Sequence, residues 1–425
     1  MERVYKTQDV YGISRELPMN YIERSKIDSE FIDSLSREKH IVVFGSSKQG
    51  KTCLRKNCLL DDDYIVIHCS NKWQLSDLNT NILKRAGFEI TQSTTKSSTG
   101  KNKIMAKIKA LLPVFGIELE NEEETSNSTE VVKCDLELDI DDVNDLIAAL
   151  KSVAFNKYVL LEDFHYLKPE VQRDFSIELK AIHENSKITF IIIGVWLDEN
   201  RLSTYNGDLI GRLISINADI WERKELLEVI EAGEALLNVS FTQDFKANLI
   251  SNCNESVYIL QEACYKVCTN NHIYQTQANN VAVGQEVDVK QLIKEIIAQQ
   301  SGRYNSFITN FADGFQTTKL EMYKWILYPI LTTKVEILEK GLRLRQLKDI
   351  IMEKHPKGTE LNVGNLTQSL KSSASLQVNK GILPIIIDYD ETNLRLQVVD
   401  KGFLVWLSHQ NINDLLDLAG LPTFM

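Results

Sequence analysis

Long apolar runs are missing from this 425-residue chain. No stretch approaches the ~20 consecutive apolar residues that a membrane helix needs, so no membrane is expected among its partners. The opening residues, Met1-Glu2-Arg3-Val4-Tyr5, lack the apolar core of a signal peptide. The seven cysteines follow neither disulfide nor zinc-ligand spacing. Cys264 and Cys268 are four apart, on one face of an expected helix, but no second pair complements them to build a zinc site. Unpaired thiols without an export signal predict a cytoplasmic location. Positive charge is also short: the net charge of −11 argues against a surface made throughout for nucleic acid, while leaving room for a local basic patch. No internal repeat is seen. What is present is ordinary for a globular protein, 43% hydrophobic and 25% charged residues, over a length that suggests two or three domains.

Read along the chain, the first forty residues are an approach segment, with Tyr21-Ile22-Glu23-Arg24 before a helical stretch from Ser29 to Leu35. His40-Ile41-Val42-Val43-Phe44 and Tyr64-Ile65-Val66-Ile67-His68-Cys69 are β-branched apolar runs of the kind that form buried parallel strands. Ser76 to Ala86 predicts a helix with Leu78, Ile82 and Leu83 at helical spacing. Thr91 to Lys101 is small and polar and predicts a loop, and Glu118 to Thr129 is a second polar stretch. Between them Ile104 to Ile117 is amphipathic, either a helix packed on an insertion or a hairpin for a membrane surface or partner. Asp141 to Ile147 opens an N-capped helix, Lys157 to Asp163 is a strand ending in two carboxylates, and Ile188 to Gly194 is a further strand beyond a helix at Pro169 to Glu184. Alternating apolar strands and helices predict an α/β fold with a parallel sheet covered on both faces. From Trp221 to Cys268, and again from the polar break at Thr269–Gly284 to Thr332, the pattern is helical. Two helices, Leu342–His355 and Leu361–Gln377, then precede two β-like runs, Ile382–Tyr389 and Leu394–Asp400, around the turn-forming Asp390-Glu391-Thr392-Asn393. Helix, helix, β-hairpin is the order of a winged helix.

Gly45-Ser46-Ser47-Lys48-Gln49-Gly50-Lys51-Thr52 satisfies G-x-x-x-x-G-K-[ST]. It follows an apolar strand and precedes an expected helix, Cys53 to Leu59, which is the context a phosphate loop requires. Glycines let the backbone N–H groups turn toward the phosphates, and the helix start adds its positive end. Lys51 supplies a cation for the β- and γ-phosphates, and Thr52 a hydroxyl for Mg2+. The predicted ligand is ATP with magnesium, bound by Gly45 through Cys53. Gly100-Lys101-Asn102 has neither strand nor first glycine and is assigned to loop. Glu162 and Asp163, expected at the end of a strand beside the P-loop strand, suit magnesium binding (Glu162) and activation of water (Asp163). His165 either orients this loop, contacts a neighbour, or is a packed surface histidine.

Together, Gly45–Thr52, Glu162–His165 and Asp208-Leu209-Ile210-Gly211-Arg212-Leu213 occur in the order found in AAA+ ATPases and the related STAND signalling ATPases, and the chain resembles their origin-recognition-like branch. The resemblance covers about residues 10–270, and the winged-helix end extends it to about 410. It implies a P-loop core at 1–220 with an insertion at 91–137, a helical lid at 221–275, a helical connector at 276–332 and a winged helix at 333–425. It also implies that Arg212 reaches a neighbouring subunit's γ-phosphate, as a planar, permanently charged fork suits. Departures accompany it. The acids run Glu162 then Asp163 rather than Asp then Glu, so the base is one methylene shorter and slow hydrolysis is expected. Gly194-Val195-Trp196 stands where a polar residue follows the sensor strand. The lid helix Glu255–Glu262 has no arginine where many relatives place one, which leans toward the STAND side.

Within the winged helix, Arg343, Arg345, Lys348, Lys354, Lys357 and Lys371 face Asp349, Glu353 and Glu360, a weak positive bias. Asp388, Asp390 and Glu391 on the hairpin would repel phosphate, so a protein contact is preferred over DNA. Gly402 to Leu407 is core. The expected function is a homo-oligomerising ATPase switch that hydrolyses ATP slowly and controls a separate effector or partner protein, with antiviral defence as a setting drawn by fold-level analogy. The alternative is a DNA-binding ATPase of the replication or transposition kind, with DNA bound through the winged helix. A blander reading is a nucleotide-dependent scaffold without turnover.

Overall fold

The structure, a computed structural model, describes residues 3–13, 16–96, 102–108, 135–316 and 319–423. Its centre is a five-stranded parallel sheet built from β1 (His40–Phe44), β2 (Tyr64–His68), β6 (Tyr158–Glu162), β7 (Phe190–Ile193) and β8 (Leu213–Asn217), in the order β2-β6-β7-β1-β8. Successive side chains on a strand face opposite sides, and the two sides form separate cores. Val42, Phe44 and Leu161 join Leu78, Leu146, Phe175 and Leu179 from the helices Leu75–Arg85, Val143–Ser152 and Pro169–Asn185. Ile41, Val43 and Ile191 face Ile27, Phe31 and Leu54 from the helices Ile27–Leu35 and Lys51–Cys58. The α/β class, the covered parallel sheet and the helical faces are as expected. One placement is corrected: β6, which ends in Glu162, is not beside the P-loop strand β1, because β7 lies between them.

The insertion differs from expectation. β3 (Phe88–Lys96), β4 (Asn102–Ile108) and β5 (Asp135–Asp139) form an antiparallel sheet in that order. Residues through Lys96 are therefore strand rather than loop; their threonines are β-branched and suit a pleated surface. Ile104 to Ile108 is strand rather than helix, with Ala106 buried over the sheet core alongside Leu138. Residues 97–101, the remainder of Ile104–Ile117 and the acidic stretch 118–129 lie outside the described residues.

Beyond the sheet, the segment expected as the lid holds the helices Arg223–Leu237, Gln243–Asn252 and Val257–Asn270, and the segment expected as the connector holds Val289–Ala298, Ser301–Asp313 and Met322–Thr332. The expected unbroken helical run is interrupted by β9 (Val239–Phe241), which pairs in parallel with β10 (Val281–Val283). The C-terminal unit contains β11 (Leu342–Arg343), helices Leu344–Lys354, Val363–Lys371 and Ser373–Asn379, β12 (Ile387–Asp390), β13 (Arg395–Val398) and the helix Lys401–Leu407. Its sheet runs β11-β13-β12, antiparallel. The expected helix, helix, hairpin order is present, with the second helix broken near Ser372 and a short third strand added. One apolar core runs from Ile230 and Leu260 in the lid through Phe307 and Ile326 in the connector to Leu376 and Phe403 in the C-terminal unit. Cys264 and Cys268 are buried within it as packing residues.

The C-terminal unit also docks on the ATPase sheet, through a smaller seam. Ala374, Val378, Ile385 and Val399 meet Val195, with Tyr166 and Leu197 alongside. Arg201 pairs with Asp388 at 2.6 Å, and the Thr392 hydroxyl donates to Asp198 at 3.0 Å. This corrects the expectation that the hairpin acids repel phosphate. Asp388 is buried in that ion pair, Asp390 is buried and accepts from the N–H groups of Thr392 and Asn393, and Glu391 pairs with Lys371.

Candidate functional site

The P-loop leaves β1 at Gly45, whose φ of +143° and close approach to Asp219, 3.1 Å from where a Cβ would stand, both require glycine. Gly50, at φ +84°, is the left-handed residue that turns the chain into the Lys51–Cys58 helix. The N–H groups of that first turn have no partner within the helix and point out of its positive end. Thr52 beside them is exposed.

Ser46, Ser47, Lys48, Gln49 and Lys51 are each held by a different neighbour. The Ser46 N–H and hydroxyl both donate to the carboxylate of Asp219, each at 2.6 Å. The Ser47 N–H donates to the carbonyl of Val399 in the C-terminal unit at 3.0 Å. Lys48 lies 3.9 Å over the Tyr258 ring of the lid, a cation–π contact. Gln49 donates to the Glu255 carbonyl and accepts from the Val257 N–H, spanning the start of the last lid helix. Lys51 folds back, its Nζ donating to the carbonyls of Gly45 at 2.9 Å and Ser46 at 2.5 Å. Burial pushes its ammonium down to about 8, against the opposing pull of Asp219, Glu162 and Asp163. The loop thus carries a cation satisfied by its own backbone, which phosphate oxygens can take over.

Across β7, Glu162 is buried and lies 3.3 Å from Arg55 of the Lys51–Cys58 helix. Burial raises its carboxyl to about 7, with Arg55 pulling the other way. Asp163 sits at φ +57°, a conformation Asp tolerates, and burial also raises its carboxyl while His68 and Lys51 lower it. A short 3₁₀ turn, Phe164–Tyr166, follows. His165 is buried in this turn rather than lying on the surface, and its Nδ1 accepts the Val195 N–H at 3.2 Å.

A cavity of about 350 Å³ brings these groups together: Ser47 through Cys53, Glu162, Asp163 and His165 all line it. Gly45 and Ser46 lie beside it, fixing the loop's exit from β1. The far wall consists of the approach segment around Pro18, Asn20 and Tyr21, with Val257, Tyr258 and Gln261 of the lid, while Pro384 of the C-terminal unit reaches the rim. Thr52 and Glu162 open onto the same space, which fits a magnesium ion arriving with phosphates. Among the described residues no group of three His, Cys, Asp or Glu would hold a metal by itself.

Arg212 is elsewhere. It precedes β8 at Leu213, which pairs with His40 at the start of β1, whereas the P-loop follows Phe44, opposite Asn217. At roughly 3.3 Å rise per residue, Arg212 is on the order of 13 Å or more from its own P-loop, along the strand. It is half-exposed, pairs with Glu184 at 2.7 Å and also donates to the Asp208 carbonyl. Its own chain therefore does not bring it to the site. Asp219, Gln49 as a lid clamp, and Val399 were not legible as site residues; Asp219 carried no signal beyond its place just after an apolar run.

The chain matches no protein-family profile and no curated protein. Among solved structures it is similar to a Walker-type ATPase of Pyrococcus abyssi, with a TM-score of 0.51 and 13% identity over 91% of this chain and 96% of that one. It is also similar to the ORC1 protein of Aeropyrum pernix in complex with DNA (TM-score 0.43, 10% identity, 96% and 97% covered). A third similarity is to a signal transduction ATPase with numerous domains and a tetratricopeptide repeat sensor from Pyrococcus horikoshii (TM-score 0.38, 11% identity, 94% of this chain and 44% of that one). The fold is that of a Walker-type P-loop ATPase, with a parallel sheet covered by helices.

Proposed function

We propose that this protein is an ATP-binding switch ATPase that works as a homo-oligomer and hydrolyses ATP slowly to control a separate partner protein. The observation that carries this is the convergence of the P-loop, Glu162 and Asp163 on one cavity whose walls come from the lid and the C-terminal unit. The first-turn N–H groups and Lys51 bind the β- and γ-phosphates, while Thr52 and Glu162 hold Mg2+, which neutralises charge developing on the phosphates when bound. Asp163 accepts a proton from the attacking water as its oxygen bonds the γ-phosphorus and the bond to the β-phosphate oxygen breaks, giving ADP and phosphate. Slow turnover is supported by Glu162 and Asp163, whose carboxyls burial has raised, so that the anionic forms both roles need are disfavoured. Arg212, far from its own site and half-exposed, is assigned to a neighbouring subunit's γ-phosphate. Antiviral defence remains the setting suggested by the resemblance, checked by phage challenge of cells carrying wild type or Lys51→Ala.

The C-terminal unit is read as a winged helix serving protein contact. DNA binding is a second reading, favoured by the internal placement of the hairpin acids, which removes one source of repulsion. Measuring particle mass with and without ATP, and with and without DNA, tests both. ATP-dependent assembly supports the switch. A mass unchanged by ATP sinks it. DNA-stimulated hydrolysis at ~50 mM salt that falls steeply with added salt would favour the second reading.

A further inference from the structure

We infer that His165 is a γ-phosphate-reading donor: its Nε2–H hydrogen-bonds the terminal phosphate of a bound nucleoside triphosphate and so distinguishes triphosphate from diphosphate. The inference rests on the P-loop reading and deepens it. The ring's tautomer follows from its bonding. Nδ1 accepts the Val195 N–H, so the ring proton sits on Nε2. Nε2 is buried and has no hydrogen-bond partner among the described residues, although leaving a buried donor unsatisfied is unfavourable. The cavity is the space His165 lines, together with Lys51, Glu162 and Asp163.

The placement selects the terminal phosphate. The helix start at Gly50–Cys53 suits the β-phosphate, and Glu162 and Asp163 line the same cavity from another strand end. His165 comes with the acids from the end of β6, two strands from β1, where the γ-phosphate and the attacking water belong. β7 itself continues into Gly194, Val195 and Trp196, and only Gly194 and Val195 of these line the cavity. Neither offers a polar side chain, and the Val195 N–H already donates to His165. The imidazole thus supplies the donor that the end of β7 lacks. Burial holds it neutral, with Lys51 and Arg201 adding to the effect, so it acts as an N–H donor rather than as a cation. Tyr166, the next residue, stands in the apolar seam against the C-terminal unit, so one short turn touches both the phosphate end and that unit.

The test compares the affinities of the full-length protein for ADP and for AMP-PNP, a triphosphate that resists hydrolysis, by calorimetry with Mg2+ at pH 7.5. His165→Ala and His165→Phe should lose about tenfold to hundredfold of the triphosphate preference, the range of one hydrogen bond to a charged group, while ADP affinity holds. His165→Gln places an amide N–H near the position of Nε2 and should retain most of the preference. The ratio is internal to each variant, so a fold weakened by the substitution does not mimic the effect. An unchanged ratio in His165→Ala, with both nucleotides bound, overturns the inference alone. Equal losses in the Phe and Gln variants overturn it too, since they would reflect packing. Failure of wild type to bind either nucleotide overturns the P-loop reading and this inference with it.

Discussion

The C-terminal unit is joined to its two neighbours in different ways. Toward the lid and connector it shares one continuous apolar core, from Ile230 through Phe307 and Ile326 to Phe403. Toward the parallel sheet it offers a small apolar patch around Val195 and Val399, the buried Arg201–Asp388 pair and a few polar contacts. Apolar burial contributes roughly in proportion to area and has no preferred direction, so the first junction resists separation. A buried ion pair gains little over solvated partners, so the second is the one that opens at least cost. That weaker seam lies at the nucleotide cavity, where Ser47 meets Val399. The C-terminal unit thus shares its main core with the lid and connector, while its smaller junction with the sheet borders the cavity.

Five changes test this contrast and the site beside it. Lys51→Ala should reduce nucleotide affinity at least about hundredfold, since it removes charge-assisted bonds to two phosphates. Calorimetry reads this, and unchanged binding would remove the P-loop assignment. Next come two substitutions of similar size and opposite consequence. Phe307→Ala, in the shared core, should cost about 3–5 kcal/mol and raise hydrogen exchange in lid and C-terminal unit together. Asp388→Ala strands Arg201 and should cost about 3–5 kcal/mol, but with exchange rising along Val195–Leu197 and β12 while the Ser301–Asp313 helix stays protected. If both variants gave the same exchange map, the two junctions would not differ as described.

The next, smaller effect is pH-dependent. Burial raises the Glu162 carboxyl from its ordinary 4.5 to about 7, so the folded state favours the protonated form. That contribution is fully present below the ordinary carboxylate range and is lost as pH rises through 7. The nucleotide-free protein should therefore melt lower at pH 8 than at pH 5, and Glu162→Gln should shrink the difference. Part should survive, because burial also raises Glu178 to about 7. Identical differences in wild type and variant would count against this effect of the buried carboxyl. Smallest for the isolated chain is Arg212→Ala, which loses only a half-exposed pair worth at most about 1 kcal/mol. Its hydrolysis defect should emerge only in assembled protein, and mixing with a Glu162→Gln/Asp163→Asn double variant should restore some activity. Equal loss without rescue would contradict a role in trans.

The legible parts of the site were those written in consecutive residues. A P-loop is a local device, so Gly45–Thr52 after an apolar strand sufficed, and Glu162-Asp163 could be placed at a strand end. Strand neighbours could not be read, because periodicity reports burial and not which strand lies alongside; β7 between β1 and β6 is invisible to it. Thr91–Lys96 reads as loop because polar β-branched residues gain their strand character from partners across a sheet. Asp388 reads as surface charge in the sequence because its cation, Arg201, comes from 187 positions away.

By itself, then, the sequence determined the nucleotide class of the site, the α/β alternation and the element order of the C-terminal unit, since each follows from residues near one another along the chain. Only the tertiary structure decided what surrounds the phosphate loop: Asp219 on Ser46 from 173 positions away, Gln49 on the lid, Val399 on Ser47, and Arg212 set apart from its own cavity. Those contacts depend on how the chain closes on itself, and side chains distant in sequence carry no local mark of the partner they meet.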